Sequence, residues 1–352
     1  YEFSALLLSE TAVVSSVMEG KGGGHFMYAN QQVEQIGRDA LAELQIKRLE
    51  KTLHWAFEKS QFYKRKLGKV GYSKGAFSSL EDVARLPFTY GDELIRTSPY
   101  DFLPMPLRSV LRVAQLGQSH SLLKMYSNGD IAHHVEMMTR VLVATGVTQA
   151  SVAGILGDLS DSRLMDIQYA LEMIGTTTVL LGTDMRRASV LMESAGVNVL
   201  VSDPRLIMQF VVNQQAMQED QESEMLTTVI CLEESMQNPM RGYIEKRIGA
   251  KVYNLFSSAG LGCAGVMFPC QERLGHHIQE DYFYPEVIEF GNSQPILAPG
   301  QVGELVLTTL AAEAMPLIRY RTGQAVMRIA EPCTCGRTLM RVVTPMEYVG
   351  NS

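Results

Sequence analysis

The sequence predicts an α/β fold: a largely parallel sheet flanked by helices, followed by a small β-barrel-like part. Two observations carry this expectation. From Val110 to Phe256 short β-rich runs alternate with helical patterns, the signature of successive βαβ units. After Gly265 the helical patterns stop, and β-rich runs punctuated by turn residues continue to Arg337. A chain of 352 residues, 46% hydrophobic and 20% charged, is long enough to bury a sizeable core in one large or two ordinary domains.

Residues 1–29 read as an extension or linker, because Leu6, Leu7 and Leu8 lack a basic lead and Lys21 is followed by three glycines. A helical lead is expected over 30–105. Its long helical region, Gln31 to Leu67, places Leu41, Leu44, Ile46, Leu49, Leu53 and Phe57 on one face. A helix start with an acidic first turn follows at Ser78 to Asp82 and stops at Leu86-Pro87, and Pro104-Met105-Pro106 reads as a connection.

The α/β part is expected over 106–262. Its strands are placed at Val110–Ala114, Ser151–Leu156, Thr177–Leu181, Val197–Val201, Thr227–Leu232 and Val252–Phe256. Helices are expected over Ala132–Thr145, Asp161–Gly175, Ala188–Ala195, Pro204–Met217 and Met240–Arg247, the second ending on its glycine. In the β-rich part, 263–345, runs are expected at Val266–Pro269, Tyr282–Glu289, Val302–Leu310 and Met315–Thr322. A tail at 346–352 closes the chain.

Charge and cysteine usage narrow the function. A net charge of −7 and a pI near 5.6 argue against a nucleic-acid or anionic-membrane surface, which needs a basic patch. No apolar run approaches the roughly 20 residues that span a bilayer. Five cysteines, two of them one residue apart, do not form a secreted disulfide framework, so a reducing cytoplasm is expected.

Several blocks carry a family resemblance. They are Arg48 to Leu53 with Phe62, Tyr63 and Lys64; Leu80 to Thr89; Gly303 to Leu310; and, most specific, Glu313 to Gly323 with Cys333-x-Cys335-Gly336-Arg337 behind it. Together, and in this order, they resemble the phenylacetate-CoA ligase family of adenylate-forming enzymes over roughly residues 30–345. The resemblance implies the large N-terminal domain of that superfamily, without the mobile small C-terminal domain. It also implies a carboxylate and nucleotide site that uses ATP, Mg²⁺ and CoA.

At the nucleotide site the chain departs from the family's pattern. Activating a carboxylate with ATP needs preorganised donors around the phosphates. The family's Ser/Thr/Gly-rich loop corresponds to Arg112–Lys124, which is shorter and keeps only Gly117, with Ser119, His120 and Lys124 as anion-attracting residues. The turn that would supply a carboxylate to Mg²⁺ corresponds to Phe256, Ser257, Ser258, Ala259 and Gly260, with glycine in the acidic place. Gln324 stands where an aspartate would accept from the ribose, and only Glu234 matches the adenine loop. The chain also stops at Ser352, before the family's small domain and its lysine. On these grounds the expectation is a divergent relative with eroded ATP and Mg²⁺ motifs, non-catalytic alone, that binds a small carboxylate or acyl ligand or a protein partner. The alternative is an ATP-dependent acyl or aryl carboxylate adenylating ligase completed by a separate C-terminal domain. A homodimer is the default oligomer.

Soft thiolates with imidazole suit a closed tetrahedral zinc site. Cys270, His277, Cys333 and Cys335 are expected to form one that staples the β-rich part, with His276 as the alternative ligand. His133 and His134 are expected as partly solvated helix residues, Asp161 as a helix cap, and Cys231 and Cys263 as buried thiols.

Overall fold

A computed structural model describes residues 16–19, 25–73, 75, 79–116, 122–216, 226–233, 240–256, 258–291, 294–296 and 298–345. Strands β1 (Ser16–Glu19) and β2 (His25–Tyr28) form an antiparallel pair. The helical lead is divided into α1 (Gln31–Glu34), α2 (Arg38–Lys59) and α3 (Gln61–Gly68) instead of running as one helix. The breaks have local causes. Gly37 is extended before α2, and Ser60 is extended and caps α3 by accepting from the Tyr63 amide. On α2 the buried stripe includes Gln45 and Thr52, which apolar periodicity does not show. Each is buried with a partner: Gln45 Nε2 donates to Glu280 O at 2.8 Å, and Thr52 Oγ1 to Leu310 O at 3.1 Å.

The expected helix after Ser78 is a 3₁₀ turn over Leu80–Arg85, with the Ser79 amide bound to Asp82. Short helices α4 (Gly91–Arg96) and α5 (Pro99–Phe102) follow. The strand expected at Val110–Ala114 lies outside the main sheet. Instead β3 (Arg112–Leu116) pairs antiparallel with β4 (Leu122–Tyr126) as a separate two-stranded unit.

Helix α6 (Asn128–Ala144) begins earlier than apolar periodicity places it, because Ser127 and Asp130 form a reciprocal capping box before the first apolar turn. The alternation then continues as expected through β5 (Val152–Leu156), α7 (Ser162–Ile174), β6 (Thr177–Gly182), α8 (Met185–Ala195), β7 (Val199–Ser202), α9 (Pro204–Ala216), β8 (Thr228–Glu233), α10 (Arg241–Ile248) and β9 (Lys251–Phe256). Asp161 caps α7 and Gly175 ends it in the left-handed region. The β-rich part comprises β10 (Met267–Phe268), β11 (His276–Ile278), β12 (Phe283–Ile288), β13 (Val302–Thr309), β14 (Tyr320–Ile329) and β15 (Arg341–Val343).

One eleven-stranded sheet runs through both parts in the order β12-β13-β14-β15-β11-β10-β9-β8-β7-β5-β6. Strands β5 to β9 pair in parallel and β9 to β15 pair antiparallel. The parallel half is covered on both faces, by α6 and α7 on one side and α8, α9 and α10 on the other. The helical lead packs instead on the β-rich half, where Leu49, Leu53, Phe62 and Tyr63 share a core with Leu305, Leu307, Leu317 and Ile318. Among the described residues no helix is long and apolar enough to cross a membrane.

A buried charge network locks these layers together. Arg140 of α6, 1% exposed, donates to Asp281 Oδ1 at 2.9 Å, to Glu136 Oε1 at 2.9 Å and to Gln279 Oε1 at 3.2 Å. Arg38 of α2 reaches Glu280 through a two-pronged contact of 2.7 and 2.9 Å. Glu280 also accepts from the Met340 amide next to β15.

Candidate functional site

The residues that the family resemblance assigns to an anion and magnesium site lie where β4, the turn after β9 and the start of β14 meet. Thr89 fixes β14 at this point: its amide donates to Arg319 O, its hydroxyl to Ile318 O, and its carbonyl accepts from the Arg321 amide. Arg319 itself is left-handed, with φ +47°, a conformation rarely held by a side-chain-bearing residue. It is held there by Glu286, by the Ala84 and Leu86 carbonyls, and by stacking 3.9 Å from the Phe88 ring centroid. Glu304 completes the frame, accepting from Arg321 and from the Gly323 amide. The consequence is a fixed direction for the buried Tyr320 ring.

Tyr320 lies over Gly260. A Cβ added to Gly260 would meet the Tyr320 hydroxyl oxygen at 2.1 Å and ring carbon Cζ at 2.6 Å. The place where a magnesium-binding carboxylate is expected thus has no room for any side chain. From the other side Lys124 of β4, 2% exposed, donates from Nζ to Gly260 O at 3.0 Å. Beside it the Tyr126 hydroxyl donates to Gly262 O at 2.7 Å. Gly262 has φ +79°, and a Cβ there would meet Lys124 Cε at 2.6 Å, so this turn needs glycine for both conformation and space.

Burial pushes the Lys124 ammonium down to about 8 from an ordinary 10.5, with Cys263 and Asp130 pulling weakly the other way. The Cys263 thiol is pushed up to about 12 by its own burial, so it is an inert core thiol at neutral pH. The lysine shift fixes a pH signature. Between about pH 8 and 10.5 the unfolded chain binds the Lys124 proton and the folded chain does not, so stability rises with pH across that window. Below about pH 8 the buried charge costs its full amount, roughly 3 kcal/mol at about 1.4 kcal/mol per decade of affinity. Lys124→Met is expected to abolish this slope, and denaturant titration of both proteins from pH 7 to 10.5 reads it as a difference. Parallel pH profiles would contradict the assignment.

Lys124 on β4 donates to Gly260 of the turn that follows β9, the strand that ends at Phe256. Gln324 lies on β14, its amide donating to Thr322 Oγ1 at 3.2 Å. Gly117, Ser119, His120, Glu234 and Ser257 fall outside the described residues. Tyr320 is given no role by the sequence, and Lys124, an expected anion-attracting residue, is not expected to be buried. Tyr320 stands in the quoted motif but reads there as one β-rich residue among several. The burial of Lys124 has one sequence signal, a lone cation within the otherwise apolar-rich Leu122–Tyr126.

The second centre joins β10, β11 and the segment between β14 and β15. Ligand atoms of Cys270, His277, Cys333 and Cys335 all lie within 4.8 Å of one another and all four residues are buried. Cys270 Sγ is 3.7 Å from Cys333 Sγ, and Cys335 Sγ is 3.5 Å from His277 Nε2. Those edges fit a tetrahedral ion, since zinc–sulfur bonds of about 2.3 Å put two sulfurs about 3.8 Å apart. His276, the alternative ligand, faces away and its Nε2 lies 3.2 Å from Asn254 O. The N-terminal segment packs on this centre: the Tyr28 hydroxyl donates to Cys335 O, and Arg337 reaches Glu34 at 2.6 Å and Met27 O at 2.8 Å.

His133 and His134 are both half-buried on α6 and line a cavity of about 30 Å³ with Asp130, Cys263 and Tyr282. His134 Nδ1 lies 3.2 Å from Asp166, which also holds Arg112 at 2.5 Å.

No protein-family model matches the chain. The phenylacetate-coenzyme A ligase of Thermus thermophilus is 30% identical over 321 residues, covering 90% of this chain and 72% of that protein. The chain belongs to the phenylacetate-CoA ligase family. The Escherichia coli phenylacetate-coenzyme A ligase is 28% identical over 298 residues, covering 82% of this chain and 68% of its own. Among solved structures, an open conformation of 2-hydroxyisobutyryl-CoA ligase in complex with 2-HIB-AMP and CoA superposes with a TM-score of 0.81 over 90% of this chain and 76% of that one, at 18% identity. That likeness establishes the fold. The shared fold is the mixed parallel and antiparallel sheet described above.

Proposed function

We propose that this member of the phenylacetate-CoA ligase family binds a small carboxylate or acyl ligand in the inherited pocket and does not, by itself, adenylate it with ATP and Mg²⁺. The observation that carries this reading is Gly260. It offers no carboxylate, the Tyr320 ring occupies the space one would need, and a buried ammonium already stands on its carbonyl. Phosphoryl activation needs charge neutralisation at the phosphates, which a divalent ion held by carboxylates ordinarily provides. Gln324, which carries no charge, supports the same reading at the ribose position.

A structural zinc ion belongs to this proposal. Cys270, His277, Cys333 and Cys335 would hold it as a closed set with no open coordination position, so its role is to staple β10 and β11 to the β14–β15 connection.

Pyrophosphate release tests the reading. The purified chain, given phenylacetate, ATP and Mg²⁺, is expected to release no pyrophosphate above a control without acid. A second reading rests on the relatives, which are CoA ligases. In it the chain is an ATP-dependent acid–thiol ligase, and acid-dependent pyrophosphate release would select it.

A further inference from the structure

We propose that Cys270 and Cys333 are a peroxide-oxidisable pair: oxidation joins them in a disulfide, expels the zinc ion, and frees the N-terminal segment seated on Cys335 and Gly336. The inference rests on the zinc site proposed above and adds a covalent reaction to it.

Geometry selects the pair. Cys333 is the outermost of the four residues, 8% exposed between the exposed Pro332 and Thr334, whereas Cys270, Cys335 and His277 are at most 1% exposed. A dissolved oxidant therefore meets Cys333 first, and the thiolate form that a metal selects is the nucleophilic one. The second thiol is in place: Cys270 Sγ lies 3.7 Å from Cys333 Sγ, so a movement of about 1.7 Å brings the sulfurs to bonding distance. Cys335 Sγ lies instead against His277 Nε2, at 3.5 Å. The Cys333 thiolate attacks one oxygen of hydrogen peroxide, the O–O bond breaks, and hydroxide leaves the sulfur as a sulfenic acid. The Cys270 thiolate then attacks that sulfur, forming the S–S bond and expelling a second hydroxide. The two sulfurs lose two electrons, the peroxide gains them, and two solvent protons turn the hydroxides into water. Cys335 and His277 alone are too few ligands to keep the ion.

The disulfide still ties the turn after β10 to the β14–β15 connection, so the sheet remains stapled. Cys335 loses its fixture, and its carbonyl is the acceptor for the Tyr28 hydroxyl at the end of β2. The neighbouring Gly336 O accepts from Gln35 Nε2 at 3.3 Å, just after α1. This seat is close-fitting, since a Cβ on Gly336 would meet the Tyr28 hydroxyl oxygen at 2.6 Å and Gln35 Nε2 at 3.0 Å. A shift of Cys335 therefore unseats both. Cys231 and Cys263, buried in the core away from this centre, serve as internal controls that stay reduced.

Graded peroxide treatment of the full chain tests this, followed by desalting, elemental analysis, thiol counting, non-reducing peptide mapping and amide hydrogen exchange. The zinc ion and two of the five thiols are expected to disappear in parallel, with the new linkage mapped to Cys270–Cys333. Exchange over residues 28–36 is expected to quicken by about tenfold or more while that of β13 and β14 is unchanged. Dithiothreitol with added zinc should reverse every change. Retention of zinc and all five thiols after treatment, or a Cys333–Cys335 linkage, overturns the proposal. Loss of the ion with unaltered exchange over 28–36 overturns the release of the N-terminal segment. Protein that holds no zinc when purified in reductant removes the metal reading and this inference with it, a result read before any peroxide is added.

Discussion

Replacing Cys335 with serine, or treating the protein with a strong chelator, is expected to unfold the β-rich half if the proposed zinc site is filled. Cys335 sits among Cys270, Cys333 and His277, and its carbonyl also receives the Tyr28 hydroxyl. Without an ion, three thiols and an imidazole are buried together with no charge to organise them. The apparent binding free energy of structural zinc in small peptides is about 10–16 kcal/mol near neutral pH, and because the site does not preexist in the unfolded chain it adds to folding stability. The expected loss is therefore on the order of 10 kcal/mol as an upper figure, comparable to the whole stability of a domain. Elemental analysis should return about one zinc per chain, and thermal denaturation should show a large fall in midpoint for Cys335→Ser. A metal-free protein with an unchanged midpoint after chelation would refute the site.

Arg140→Ala should be the most damaging single substitution away from the cysteines. It leaves Asp281, itself 1% exposed, with only the more distant Arg48 cation at 3.7 Å, and releases Glu136, which also accepts from Tyr282 and from Asn30 at 3.0 Å. Removing one partner of a buried ion pair costs about 3–5 kcal/mol, far more than the pair is worth against an apolar replacement. Urea titration checks this. A loss below about 1 kcal/mol, the range of exposed pairs, would mean that the network is solvated. Arg38→Ala, by contrast, removes an ion pair whose arginine side chain is 57% exposed, and a smaller loss is expected.

How much of this was legible in the sequence differs from element to element. The alternation from β5 to β9 was legible because both faces of β5, β7, β8 and β9 are buried, leaving continuous apolar runs between amphipathic helices. Caps such as Asp161 and Gly175 were legible because they are local chemistry. The β3–β4 hairpin was not. Its second strand, Leu122–Tyr126, was absorbed into an expected phosphate loop, and nothing in five residues distinguishes a strand of a separate hairpin from one of the main sheet. Polar residues in the core were also hidden. Gln45 and Thr52 break the apolar stripe of α2 and become buried only because distant carbonyls, Glu280 O and Leu310 O, receive them.

The candidate site divides in the same way. Cys333-x-Cys335 with Cys270 and two histidines announces a metal set by composition. Choosing between His276 and His277 required the strand register, in which adjacent residues face opposite sides of the sheet. At the nucleotide position the sequence supplied a glycine where a carboxylate is expected. That Tyr320 fills the space above it, and that Lys124 brings a cation to its carbonyl, are long-range contacts that depend on how β4 and β14 are brought together.

The measurement that bears most directly on the central claim is calorimetric titration of the purified protein with ATP, with and without Mg²⁺. The account predicts that Mg²⁺ adds nothing: the isotherm is the same in both, because Gly260, Tyr320 and Lys124 leave no place for the ion. Micromolar binding of ATP that appears only when Mg²⁺ is present would contradict it, and would return this chain to the ATP-dependent ligases whose fold it shares.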